Sequence, residues 1–152
     1  MNMNQFTQKS LEAIQAAQNI ATQYGNQQVE QPHLMLALVD QEGGFIPQLL
    51  THMGLTLESF RAAVRHEVEI LPKVSGSGRE AGKVYIAPGV DKALNQALAI
   101  AGSMKDEFVS VEHILLALMD TAEGSLKELF RTYRVDKEKV MQALAALRGS
   151  QP

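Results

Sequence analysis

The chain has no cysteine. That excludes disulfides, thiolate metal sites and a cysteine nucleophile, and it fits a reducing compartment. A surplus of basic residues is also missing. Lys and Arg number 14 against 17 Asp and Glu, the formal net charge is -3, and no basic run occurs. Non-specific nucleic-acid binding rests on Lys and Arg at phosphates, so nucleic acid is not an expected partner. Nor is there an aromatic RNA-recognition motif. Long apolar runs are lacking too: the longest span only 34–39 and 114–119. A bilayer span needs about 20 apolar residues, so no membrane is expected. Met1–Gln5 shows no basic segment followed by an apolar stretch, hence no secretory signal, and the expected location is cytoplasmic.

What is present is an internal repeat. Shifted by 80 residues, the sequence falls on itself without a gap, with 14 identities in 61 positions between 6–66 and 86–146. His33-Leu34-Met35-Leu36-Ala37-Leu38-Val39-Asp40 lies on His113-Ile114-Leu115-Leu116-Ala117-Leu118-Met119-Asp120. A repeat of this kind organises the whole fold. Each copy reads as four helices, giving an all-α domain of two pseudo-symmetric halves. The spacing predicts helices near 7–24, 31–41, 44–53, 56–71, 88–104, 110–120, 124–133 and 136–148.

Apolar stripes carry that reading. Ile14, Ala17, Ala21 and Tyr24 line one first helix; Val90, Leu94, Ala97, Leu98, Ala101 and Met104 line the other. The runs 34–39 and 114–119 are apolar all round, which marks the central, most buried helices. Thr7, Thr56 and Asp136 suit N-caps. Pro32 and Pro88 suit first turns, where no amide is needed. Gly54 suits a left-handed residue ending a helix. The boundaries are then repeat one at 6–71, a Gly- and Ser-rich linker at 72–85, and repeat two at 86–148. Residues 149–152 read as the start of a further linker.

Signals of chemistry are few. Gly76–Val84 invites a phosphate-loop reading, but five residues separate Gly76 from Gly82, Val84 replaces the Ser or Thr, and no strand precedes it. No cofactor is expected here. His33 and His113 are repeat partners, yet neither has a second ligand at helical metal spacing, so each is expected to be a packed, hydrogen-bonded ring and no metal is expected. No serine sits in a nucleophile elbow, and the chain is not expected to be an enzyme.

The paired His-Leu-Met-Leu-Ala-Leu and His-Ile-Leu-Leu-Ala-Leu motifs resemble the Clp amino-terminal repeat family. The segments 24–34, 71–76, 84–88, 105–113 and 147–149 resemble its ClpB branch. Arg79-Glu80-Ala81-Gly82 departs from that branch in being longer and more charged. The resemblance implies a mobile domain that binds unfolded or aggregated protein for a disaggregase. It also implies a homohexamer held by AAA+ modules, with ATP and Mg in the parent protein and the DnaK system as partner through a middle domain. The fragment itself would be a monomer. The alternative within the family is an adaptor-docking domain of a ClpC or ClpA unfoldase.

Residues that break the repeat are the candidates for the site. Thr7 pairs with Ala87, Asp106 with Asn26 and Glu112 with Pro32. Polar residues at these positions also fit the ClpB pattern, so Thr7, Asp106 and Glu112 are expected to rim a groove. Phe6, Leu11, Leu94, Phe108 and Val111 are its apolar candidates, with a place in the core the competing reading, above all for Phe6 and Leu94, because large apolar residues are usually buried. Thr7 and Asp106 are equally suited to helix or turn caps.

Overall fold

The structure, a computed structural model, describes residues 3–73 and 84–149. Eight α-helices run through these residues: α1 Gln8–Gln23, α2 Gln31–Asp40, α3 Phe45–His52, α4 Leu57–Glu69, α5 Pro88–Ser103, α6 Val111–Thr121, α7 Gly124–Thr132 and α8 Lys137–Gly149. Each lies within two residues of its expected bounds. The expected linker falls mainly on 74–83, outside the described residues. Its last residue does not behave as linker: Tyr85 is paired in a strand.

The core forms where the apolar periods predict. Leu34 to Val39 of α2 and Ile114 to Leu118 of α6 are all buried, and these two helices pack on each other at the centre. Helices α1 and α5 cover them on the outside. The buried face of α1 is Ser10, Ala13, Ala17 and Ala21, with Ile14 and Tyr24 only at its margin. Small residues there let α1 approach α2 closely. Ile46, Leu49 and Leu50 of α3 and Leu126, Leu129 and Phe130 of α7 belong to the same buried core. Phe60 of α4 meets Tyr133 edge to face, with ring centroids 5.2 Å apart.

The helix ends obey the same pseudo-symmetry. After α1 and α5 the chain turns through left-handed Gly25 and Lys105; after α3 and α7 it turns through Gly54 and Arg134. Each turn carries the same pair of hydrogen bonds, such as Asn26 N to Ala21 O and Asp106 N to Ala101 O, both 2.9 Å. These close the last turn in the Schellman manner. Of the expected caps, Thr7 accepts from the Ser10 amide at 3.2 Å and Asp136 from the Lys139 amide at 2.9 Å. Thr56 holds the N-cap position of α4 but makes no side-chain cap bond.

Two short parallel pairings join the halves. Strand β1 (Gln28–Val29) pairs with β2 (Tyr85–Ile86), and Phe6 pairs with Val109. They are the same pairing seen twice, because 86 and 29 become 6 and 109 when the repeats exchange. The bonds match: Ala87 N to Val29 O is 3.1 Å and Thr7 N to Val109 O is 3.0 Å. In both, the segment leading into one repeat's first helix lies beside the segment leading into the other repeat's second helix. Beyond these pairings, Gln31 crosses between the halves. It is 5% exposed, and its amide donates to Gly89 O and Thr121 O and accepts from the Glu123 amide, each at 3.1 Å.

Candidate functional site

The two histidines sit at the third residue of α2 and of α6. In repeat one the Glu30 amide donates to His33 Nδ1 at 2.8 Å. A nitrogen that accepts carries no hydrogen, so Nε2 carries it and donates to Asn26 Oδ1 at 2.8 Å. Asn26 in turn donates to Pro72 O at 2.9 Å. The ring is wholly buried, and burial leads in pulling its pKa down to about 4, with the Lys73 charge adding to the shift. His33 is therefore a neutral, packed ring, as the sequence suggests.

In repeat two the frame is the same and the charges are different. The Ser110 amide donates to His113 Nδ1 at 2.8 Å, and His113 Nε2 donates to Asp106 Oδ2 at 2.7 Å. Arg148, in the last turn of α8, donates from one Nη2 to Asp106 Oδ2 at 3.2 Å and to Glu112 Oε2 at 2.8 Å. Burial alone would raise the Asp106 pKa, but the His113 bond and Arg148 together hold it below the ordinary carboxylate value. Arg148 is a firmer cation than usual, chiefly through Glu112 and against its own partial burial. Where repeat one has Asn26, Pro32 and a fully buried Val68, repeat two has Asp106, Glu112 and Arg148.

The expected site residues divide into two groups. Thr7 is half-buried; its hydroxyl caps α1 and donates to Ser10 Oγ at 3.0 Å, and Ser10 Oγ donates to Val109 O at 2.9 Å. The strand bridge thus brings Thr7 beside the 106–112 stretch, and Arg148 joins Asp106 to Glu112. Phe108 is exposed at 47%, and Leu11 is partly buried. Phe6, Leu94 and Val111, expected as groove wall, are instead core residues at 4% exposure each. Phe6 is drawn inward by its pairing with Val109, Leu94 faces the interior from α5, and Val111 enters with the first turn of α6. Of the five apolar candidates Phe108 is the exposed one.

Arg148 was not among the expected site residues and entered only with the 147–149 segment. Its signal lies two positions past the matched window, where an arginine replaces the valine of the other repeat. Among the described residues no group of three or more His, Asp and Glu is placed to hold a metal, and no helix is long and apolar enough to cross a membrane.

The model of the Clp repeat N-terminal domain matches residues 5–150. The chain belongs to the Clp repeat N-terminal domain family. Chaperone protein ClpB of Nitratidesulfovibrio vulgaris is 39% identical over 152 residues, covering 99% of this chain and 18% of that protein. The chain thus spans 17–18% of the length of the curated relatives it matches. Among solved structures, the Hsp104 N-terminal domain of Candida albicans superposes with a TM-score of 0.80 at 23% identity, covering 96% of this chain and 93% of that one. The N-domain of ClpV in complex with a VipB peptide superposes with a TM-score of 0.71 at 16% identity, covering 94% and 86%. These likenesses show the shared fold of the Clp repeat.

Proposed function

We propose that this chain is the polypeptide-binding N-terminal domain of a ClpB-type disaggregase. The observation that carries the reading is the broken symmetry: the Asp106, Glu112 and Arg148 cluster stands on one half only, with the exposed Phe108 two residues from Asp106 in sequence. The ClpB name of the similar full-length chaperones and the peptide on the ClpV N-domain support it. Unfolded protein displays apolar segments of no fixed sequence. An exposed Phe108 flanked by polar Thr7, Asp106 and Glu112 suits a shallow contact that tolerates many sequences and releases them. The domain recruits; it does not catalyse. In the parent protein, AAA+ modules form a homohexamer, bind ATP and Mg, and thread the captured chain in the cytoplasm, with the DnaK system acting through a middle domain. Six weak sites on one ring gain avidity, so a single site need not bind tightly.

The test is binding of a fluorescent, permanently unfolded test protein to wild type and to Phe108→Ala. Substitutions at exposed positions usually change stability by no more than about 0.5 kcal/mol. Phe108→Ala is therefore expected to melt like wild type and to bind severalfold more weakly. Equal binding by the two proteins would overturn the reading.

A further inference from the structure

Three positions change together across the pseudo-twofold: Asn26 to Asp106, Pro32 to Glu112 and Val68 to Arg148. The histidine does not require them. Asn26 accepts from His33 at 2.8 Å without any charge, in the same geometry as Asp106 with His113. The extra ions therefore answer to something other than holding the ring. Arg148 and Asp106 reach solvent, their side chains 37% and 28% exposed, while Glu112 beneath Arg148 is nearly covered at 11%. The cluster keeps one net negative charge after Arg148 is counted. Phe108 lies two residues from Asp106 in sequence and is exposed.

We infer that Arg148 is a resident competitor at the candidate site, occupying the seat that a Lys or Arg side chain of an incoming polypeptide takes. It thereby sets both the charge preference and the weakness of binding. The inference rests on the polypeptide-binding reading above. A guanidinium suits two carboxylates by charge and by hydrogen-bond geometry, whether it comes from this chain or from a partner. Exchange of one cation for another changes the local electrostatics little, so the incoming residue gains specificity without tight capture. Segments bearing Arg or Lys beside apolar residues are the preferred class, and acidic segments are disfavoured by the net charge of the cluster.

The experiment uses the whole chain and two labelled peptides of the same apolar sequence, one carrying arginines and one carrying glutamates at the same positions. Binding is read by fluorescence anisotropy at low salt. Wild type should prefer the arginine peptide. Arg148→Gln should bind that peptide about two- to fivefold tighter, the range expected for an exposed ion pair. Its binding of the glutamate peptide should be unchanged or weaker, and Arg148→Lys should restore the wild-type preference. Failure of Arg148→Gln to gain affinity for the arginine peptide, or an equal shift for both peptides, overturns the inference while leaving the binding reading intact. If wild type binds neither peptide, both fall. Should Arg148→Gln not fold, Glu112→Gln decides: it is expected to lose affinity for the arginine peptide about twofold or more, and an undiminished preference overturns the inference.

Discussion

Asn26 and Asp106 stand 80 residues apart in sequence and hold the same place in the two halves, each accepting a hydrogen bond from the Nε2 of a buried imidazole, at 2.8 and 2.7 Å. Their side chains differ by one group, an amide against a carboxylate. Around Asn26 the amide nitrogen is used, donating to Pro72 O at 2.9 Å. Around Asp106 the second demand is a cation, met by Arg148. One helix–turn frame therefore supports a neutral polar contact in one half and a charged cluster in the other.

Exchanging the two residues should be costly in one direction only. Asn26→Asp sets a carboxylate against the Pro72 carbonyl at a site 3% exposed, with Val68 where the other half has Arg148. A buried acceptor losing its donor costs about 1–3 kcal/mol, and an unpaired charge costs more. Asp106→Asn keeps an acceptor for His113 and loses only a partly exposed ion pair, worth about 1 kcal/mol or less. Urea unfolding at pH 7 checks this; equal costs for the two variants would refute it.

The His33 ring should stay neutral well into acid. Its pKa lies at about 4 in the folded chain against 6.5 for a free imidazole. The unfolded chain therefore binds a proton first as pH falls. The stability tied to neutral His33 is complete above about pH 6.5 and is lost as pH falls from there toward 4. An NMR titration of the imidazole carbons reads this directly. A His33 midpoint near 6.5 would contradict the buried, accepting Nδ1.

Gln31 should be a stability residue without a part in binding. Its side chain satisfies Gly89 O, Thr121 O and the Glu123 amide, three backbone groups of the other half. Gln31→Ala is expected to cost about 2–4 kcal/mol, since buried polar groups are left unpaired. Thermal unfolding gives the cost, and binding of the unfolded test protein at a temperature where both fold should be unchanged. A melting curve like that of wild type would show that water or neighbouring groups replace the amide.

Much of the architecture was legible because the repeat is gapless and the apolar period is strong. The runs at 34–39 and 114–119 admit no solvent face, so they could only be central. Gly54 marked a helix end by its conformational freedom, and its left-handed φ of 91° agrees. Lys105 and Arg134 take the same conformation without being glycine, so nothing in their identity announced those turns. The strand pairings were illegible for a different reason. Two residues give no alternating pattern, and what orders them is the pairing itself. The candidate site was half legible. Asp106 and Glu112 showed themselves as departures from the repeat; among the large apolar residues near them, Phe6 and Leu94 already suited the core by size and apolarity, while nothing set Val111 apart from Phe108. Phe6, Leu94 and Val111 fill the core, and Phe108 does not.

The reciprocal strands have a consequence for how such a molecule arises and how it comes apart. Each half stabilises its partner with the segment that leads into its own first helix, so neither half carries a complete set of backbone partners alone. A single copy of the unit would find what it lacks in a second copy, each lending its leading segment to the other in a closed, isologous homodimer. Fusing two such copies end to end freezes that dimer into one chain. The tie then keeps both halves folded even as their surfaces diverge, so one half is free to become charged while the other stays plain.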